Sequence, residues 1–197
     1  WYNNFASSFI TAGDSILIGY KGTQANVTIP QSVKTVNPGV FKNKTTAVSV
    51  TVPASVTSVG EQAFMGCVNL ASVTFNAASF TLGAEAFRGC TALSAVTLPA
   101  GITDIGAGAF VGCTSLQSAY LSDGLNRVAG DMFNGCTSLT TVRLAPGTES
   151  IGSGAFAGCS SLVSPVLPVN EVFNEIGLNA FRGCVSVKQA VIPDNIS

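Results

Sequence analysis

The chain has 197 residues, a net charge of −1 and only 10% charged residues, against roughly a quarter in an average soluble domain. It contains no histidine, which removes Ser-His-Asp and Cys-His catalysis and the commonest metal ligand, and it has no basic stripe of the kind that tracks nucleic acid. No apolar run is long enough to span a bilayer, and the start at Trp1, without Met or a basic-then-apolar leader, predicts a mature or trimmed fragment.

At the amino-terminal end, Ile16-Leu-Ile18-Gly-Tyr20 and Asn26-Val27-Thr28-Ile29 flank a Lys21-Gly22 turn. This pattern predicts a β-hairpin between those two runs. Val27 and Ile29 hold the phase of Val50/Val52 and Val73/Phe75 further on, so the second run is also the first rung of a longer ladder. Residues 1–29 therefore form a capping segment, with residues 1–20 covering the exposed apolar end that any stacked array must hide.

From residue 30 the chain repeats. Cysteines stand at 67, 90, 113, 136, 159 and 184, at intervals of 23, 23, 23, 23 and 25 residues, each preceded by glycine. Phe41, Phe64, Phe87, Phe110, Phe133, Phe156 and Phe181 keep the same beat. A fixed period of this length predicts a solenoid in which one short unit stacks on copies of itself. Within a unit, Leu70, Val73 and Phe75 form an L-x-x-L-x-L pattern, repeated at Leu93/Val96/Leu98, Leu116/Ala119/Leu121 and Leu139/Val142/Leu144. The last two of each trio alternate with a polar residue, as in a strand with one buried face. Stacked strands of this kind make a parallel sheet, and their crossovers coil right-handed.

The other half of the unit, with Val59 and its partners, does not read as a strand, and its stretch Ala63-Phe64-Met65-Gly66-Cys67, too short for an α-helix, reads as one tight turn or a 3₁₀ piece. Phe64, Phe87, Phe110, Phe133, Phe156 and Phe181 are expected to form a stacked column. Two glycine columns recur, one before each Cys and one at 60, 83, 106, 152 and 177. The degenerate first unit places Asn43 and Asn37 there, and Asn is the commonest non-glycine residue at positive φ, so both columns are expected in the left-handed region. The six cysteines share one phase and should stack roughly 4.8 Å apart. Parallel side chains hold the Cβ atoms near that spacing, whereas a disulfide wants about 3.8 Å with converging vectors. Cys67, Cys90, Cys113, Cys136, Cys159 and Cys184 are thus expected as buried free thiols acting as small hydrophobes.

Toward the end, Pro165 falls within a strand, where it removes a ladder donor, and the 25-residue unit from Pro168 to Pro193 adds two residues around Asn170 to Asn174, expected as a surface bulge. Pro193 to Ser197 repeats the opening of another unit, which predicts that the array of residues 30–197, about seven repeats with the last truncated, continues in the natural protein.

The unit Ala-Phe-x-Gly-Cys, then Leu, then a short apolar strand closing in Leu-Pro resembles the Treponema-type leucine-rich repeat of the BspA-like surface-protein family. Ala109-Phe-Val-Gly-Cys113-Thr-Ser-Leu116 and Ala155-Phe-Ala-Gly-Cys159-Ser-Ser-Leu162 carry the resemblance most closely. It implies secreted or cell-surface proteins of bacteria and some microbial eukaryotes, with roles in adhesion to host or neighbouring-cell proteins or glycans. The family supplies no catalytic residue, no cofactor and no shared ligand-binding motif.

The residues themselves point the same way. The cysteines lack the close pairing of a zinc site, and the Gly-rich stretch from Gly101 to Gly108 lacks the Lys and Ser/Thr of a phosphate loop. A non-catalytic binding module is the first reading and a passive spacer the alternative. The outward row of the sheet bears on both readings: Thr51, Thr74 and Thr97 are monotonous, as a spacer would be, but the row then changes to Tyr120 and Arg143, residue types enriched at interface hot spots, which equally fit residues that simply cover the sheet as neighbours on adjacent rungs. If the module binds a partner, contact is expected to centre on Tyr120 and Arg143, with Thr97, Ser118 and Thr141 as the polar surround. Val166 and Val191 continue the row.

Overall fold

The computed structural model describes residues 8–13, 15–163, 167 and 172–188. The expectations for residues 1–7, Pro165, Val166, the first part of the bulge around Asn170 to Asn174 (residues 170–171), Val191 and the repeat opening at 193–197 lie outside them.

The chain is a parallel β-solenoid built from two ladders of short strands. One ladder carries the alternating runs: β3 (Asn26–Thr28), β5 (Ser49–Val52), β7 (Ser72–Phe75), β9 (Ala95–Thr97), β10 (Ser118–Tyr120) and β12 (Thr141–Arg143). Pairing is parallel and in repeat register within two three-stranded sheets, with Val27 beside Val50 and Val50 beside Val73 in β3–β5–β7, and Val96 beside Ala119 and Ala119 beside Val142 in β9–β10–β12; strand pairing is interrupted between β7 and β9. Successive side chains alternate across the pleat, so Val50, Val96 and Ala119 are buried while Thr28, Thr74 and Thr97 face outward.

The second ladder corrects the sequence reading. Val59, Leu82, Val128, Ile151 and Ile176 lie in strands: β2 (Ile16–Tyr20), β4 (Thr35–Val36), β6 (Ser58–Val59), β8 (Thr81–Leu82), β11 (Arg127–Val128), β13 (Ser150–Ile151) and β14 (Glu175–Ile176). β2, β4, β6 and β8 pair in parallel in that order, and so do β11, β13 and β14; between the two groups Ile105 joins Leu82 through an isolated parallel bridge. Two-residue strands with one buried side chain have no periodicity to read, and only stacking makes them pair. After each comes a run of i→i+3 turns rather than a 3₁₀ helix, as in Met65 N–H to Gln62 O and Cys67 N–H to Phe64 O. The intervening N–H groups of Gln62, Phe64 and Gly66 donate to Ala84, Ala86 and Arg88 of the next coil. Even the turns are thereby bonded coil to coil, which satisfies backbone groups that burial would otherwise leave costly.

The hairpin also needs correction. β2 pairs antiparallel with β1 (Phe9–Ala12), not with β3, while β2 and β3 each open one of the two parallel ladders. The cap is thus stitched to both ladders, and its aromatics extend the core column: Phe9 packs on Tyr20 at 5.1 Å and Tyr20 on Phe41 at 4.9 Å. From Phe41 to Phe181 the rings stack with centroids 4.9–5.6 Å apart and planes within 3–11° of parallel.

The two glycine columns prove to be physically different. Gly66, Gly89, Gly112, Gly135, Gly158 and Gly183, with Asn43, have φ between 59° and 77°, as expected. Asn37 and the column of Gly60 do not have positive φ. That column is glycine because the coils touch there: a Cβ on Gly60 would lie 2.6 Å from Pro38 N, and one on Gly152 2.6 Å from Gly130 N.

Two departures from the repeat are repaired locally. Ser79 stands exposed where Val56 and Ile102 are buried, and the next residue, Phe80, fills the gap against Phe75 at 4.8 Å. Thr148 is buried at another such position, its hydroxyl donating to Ala145 O at 2.8 Å, and Phe173, fully buried, takes the matching place in the following coil.

Candidate functional site

The 23-residue pitch brings the outward-facing residues singled out in the sequence onto one sheet. Tyr120 of β10 lies between Thr97 of β9 and Arg143 of β12, and Ser118 pairs with Thr141. Tyr120 is 44% exposed, and Thr97, Thr141 and Arg143 are exposed while Ser118 is half-buried. A ring with this much free area on a hydrogen-bonded strand offers a contact surface that loses little entropy when covered. Arg143 is held by an ion pair, its Nη2 lying 3.2 Å from Asp123 Oδ1 in the loop after β10. Both partners are more than half exposed, so the pair contributes little to stability, but it holds the guanidinium toward the loop after β10. Asp123 and Asp131 have separate roles: Asp123 serves Arg143, and Asp131 accepts a bond from Asn134 Nδ2 at 2.8 Å.

The thiols lie behind this sheet in the core. Cys67, Cys90, Cys113, Cys136 and Cys159 are fully buried, Cys184 is half-buried, and all six are free. They are more than small hydrophobes. Each Sγ donates to the carbonyl of the Phe one coil back, at 3.0–3.2 Å, from Cys67 on Phe41 to Cys184 on Phe156. The same carbonyls accept the N–H three residues on, as Phe64 O does from Cys67 and Phe87 O from Cys90, so the thiol occupies the second lone pair. Desolvation pushes the Cys67 thiol up to about 11 and Cys136 to about 12, and raises the others as well. The five fully buried thiols are protonated at neutral pH and inert as nucleophiles. Among the described residues, no group of three or more Cys, Asp or Glu side chains converges as a metal site.

The sequence profile of the BspA type leucine rich repeat region matches residues 19–137 and 81–197, in six copies. The chain belongs to the BspA-type leucine-rich repeat family. Solved structures agree with this assignment. A leucine-rich repeat protein of T. pallidum is 28% identical, with a TM-score of 0.81 over 89% of this chain and 84% of that one. A leucine rich cell surface protein from Faecalibacterium prausnitzii is 29% identical, with a TM-score of 0.85 over 96% of this chain. The chain spans only 53% of that protein's length. A leucine-rich repeat protein from Eubacterium ventriosum, 24% identical with a TM-score of 0.81 over 96% of this chain and 50% of that one, shares the fold. No curated protein matches the sequence. Within this chain the repeated phase is occupied by structural residues, and the outward row departs from threonine at Tyr120 and Arg143.

Proposed function

We propose that this leucine-rich repeat array is a non-catalytic recognition module displayed outside the cell, and that it adheres to a host or neighbouring-cell protein through the face of β9, β10 and β12. The observation that carries this reading is the Tyr120–Arg143 pair, adjacent in register, exposed and set among small polar residues. Tyr and Arg are among the residue types enriched at interface hot spots. Placement at the cell surface is supported by the family, by the similarity to the Faecalibacterium cell surface protein, and by an outer surface polar through Ser and Thr rather than charge. Among the described residues, no helix is long and apolar enough to cross a membrane.

One observation favours a second reading, a passive spacer: on the first four rungs the same outward row is Thr28, Thr51, Thr74 and Thr97. The deciding experiment presents a panel of extracellular-matrix proteins and a glycan array to the full chain and to a Tyr120→Ala/Arg143→Ala double variant. A binder whose affinity falls by roughly 30-fold or more, about 2 kcal/mol, with an unchanged melting temperature, supports recognition by this face. Undiminished binding by the variant moves the site elsewhere, and silence across the panel favours the spacer.

A further inference from the structure

The second ladder is held by one recurring bond at the end of each rung. Asn37, Gly60, Gly83, Gly106, Gly152 and Gly177 each donate their N–H to the strand one coil back, from Asn37 on Leu17 O to Gly177 on Ile151 O, at 2.7–2.9 Å. Ala129 stands at the same phase and makes no such bond to Ile105 O. No bridge joins Ile105 to Val128 either, so the ladder that runs from β2 to Ile105 is interrupted there and starts again at β11.

The cause is one methyl group. A Cβ on Gly60, Gly83, Gly106, Gly152 or Gly177 would lie within 2.6 Å of a backbone nitrogen of the preceding coil, so the bond at this phase requires glycine. Ala129 is buried and carries that Cβ, and the coils part to admit it. Asn37 keeps its bond because the segment before it, β2, continues as a strand to Tyr20 instead of turning. What spans the gap is an ion pair, Arg127 Nη2 to Asp104 Oδ1 at 2.8 Å, with both side chains more than half exposed, and such a pair restrains little. One coil earlier the other ladder is interrupted as well, between β7 and β9. The turn side is continuous past both gaps. Phe87 N–H donates to Ala109 O at 2.8 Å and Phe110 N–H to Met132 O at 2.9 Å. Glu85, Gly108 and Asp131, members of a left-handed column that runs from Gly39 to Asn179, keep φ of 54–65°.

We propose that Ala129 is a built-in spacer that makes the coil of β9 and Ile105 a joint, about which the two halves of the array rock on their continuous turn side. Opening concentrates where backbone groups lack partners and spares the paired rungs on either side. The β3–β5–β7 and β9–β10–β12 sheets can then change their mutual angle while each stays paired within itself, as in a hinge. Such a joint serves a recogniser and a spacer alike.

Relaxation dispersion of the ¹⁵N-labelled full chain reads motion on the μs–ms scale of a hinge. Amides of residues 103–105 and 126–129 should show dispersion, while those of β4, β6 and β8 stay flat. Ala129→Gly removes the methyl and lets the coils close as they do at Gly106 and Gly152. Dispersion at those amides should then vanish, and the residue-129 amide should gain about 10-fold in protection from solvent exchange, the worth of one backbone bond. If the variant fails to fold, the wild-type dispersion and exchange decide. Flat profiles at 103–105 and 126–129 in the wild-type chain, an Ala129 amide already as protected as that of Gly152, or dispersion that persists in Ala129→Gly would overturn the proposal.

Discussion

Gly152 and Gly158 lie in the same coil, and the structure assigns them different reasons for being glycine. Replacing each by alanine separates those reasons. Gly158 has φ 75°, and an added Cβ would meet nothing closer than 3.6 Å, so Gly158→Ala carries only backbone strain. Left-handed geometry costs alanine about 1–2 kcal/mol, offset by about 0.4–1 kcal/mol from a stiffer unfolded chain, leaving a loss of about 1 kcal/mol. Gly152 has ordinary φ, but its Cβ would lie 2.6 Å from Gly130 N, 2.9 Å from Gly130 Cα and 3.0 Å from Ala129 C. Relief requires the coils to part toward normal contact of about 3.5 Å. That movement strains the 2.8 Å bond from Gly152 N–H to Val128 O and the β11–β13 pairing beside it. Overpacking of this kind costs about 1–3 kcal/mol and a weakened backbone bond about 1 more, so after the same unfolded-state offset of about 0.4–1 kcal/mol Gly152→Ala should lose about 1–3.5 kcal/mol, centred at about twice the Gly158→Ala loss. Urea unfolding followed by far-UV circular dichroism measures both. Equal losses, or a milder Gly152→Ala, would refute the assignment of the two columns.

Phe110→Ala removes a fully buried ring stacked at 5.5 Å on both Phe87 and Phe133, and should cost about 3–5 kcal/mol by the same assay. The buried thiols make stability depend on pH. Their folded-state pKa values lie above the unfolded value of about 8.5, so the stabilisation is complete below that pH and is lost as pH rises through 11 for Cys67 and 12 for Cys136. The urea midpoint should therefore be lower at pH 10 than at pH 8, and a constant or rising midpoint would contradict the buried thiol column. Native labelling with a disulfide reagent at pH 8 should leave Cys67, Cys90, Cys113, Cys136 and Cys159 untouched, with Cys184 reacting first. Rapid reaction of the central thiols would contradict their burial.

The stacked Phe column, the free thiols and the alternating ladder were legible because each depends on one residue type recurring at one phase. Tyr120 and Arg143 were placed side by side by the same arithmetic. Features set by contact between coils were not legible. Val59 with Ser58 is too short a strand to show a period, and Gly60 looks like a turn glycine although what it avoids is the backbone of the preceding coil. The left-handed column of Gln62, Glu85, Asp131 and Asn179 was obscured because polar residues dilute its glycines, although Gly39, Gly108 and Gly154 in phase carried a signal. The hairpin was misassigned because β2 and β3 look like partners across Lys21-Gly22, while β3 pairs with β5, 23 residues on. Asp123 reaches Arg143 from a loop in the previous coil, a contact that no repeat position specifies.

The most direct test of recognition by the strand face is amide hydrogen exchange on the complex with whichever panel protein binds. New protection on binding should concentrate at residues 95–97, 118–120 and 141–143, the strands that present Thr97, Tyr120 and Arg143. Protection confined to the turn side, around residues 84–88 and 107–111, with those strands unchanged, would contradict the account.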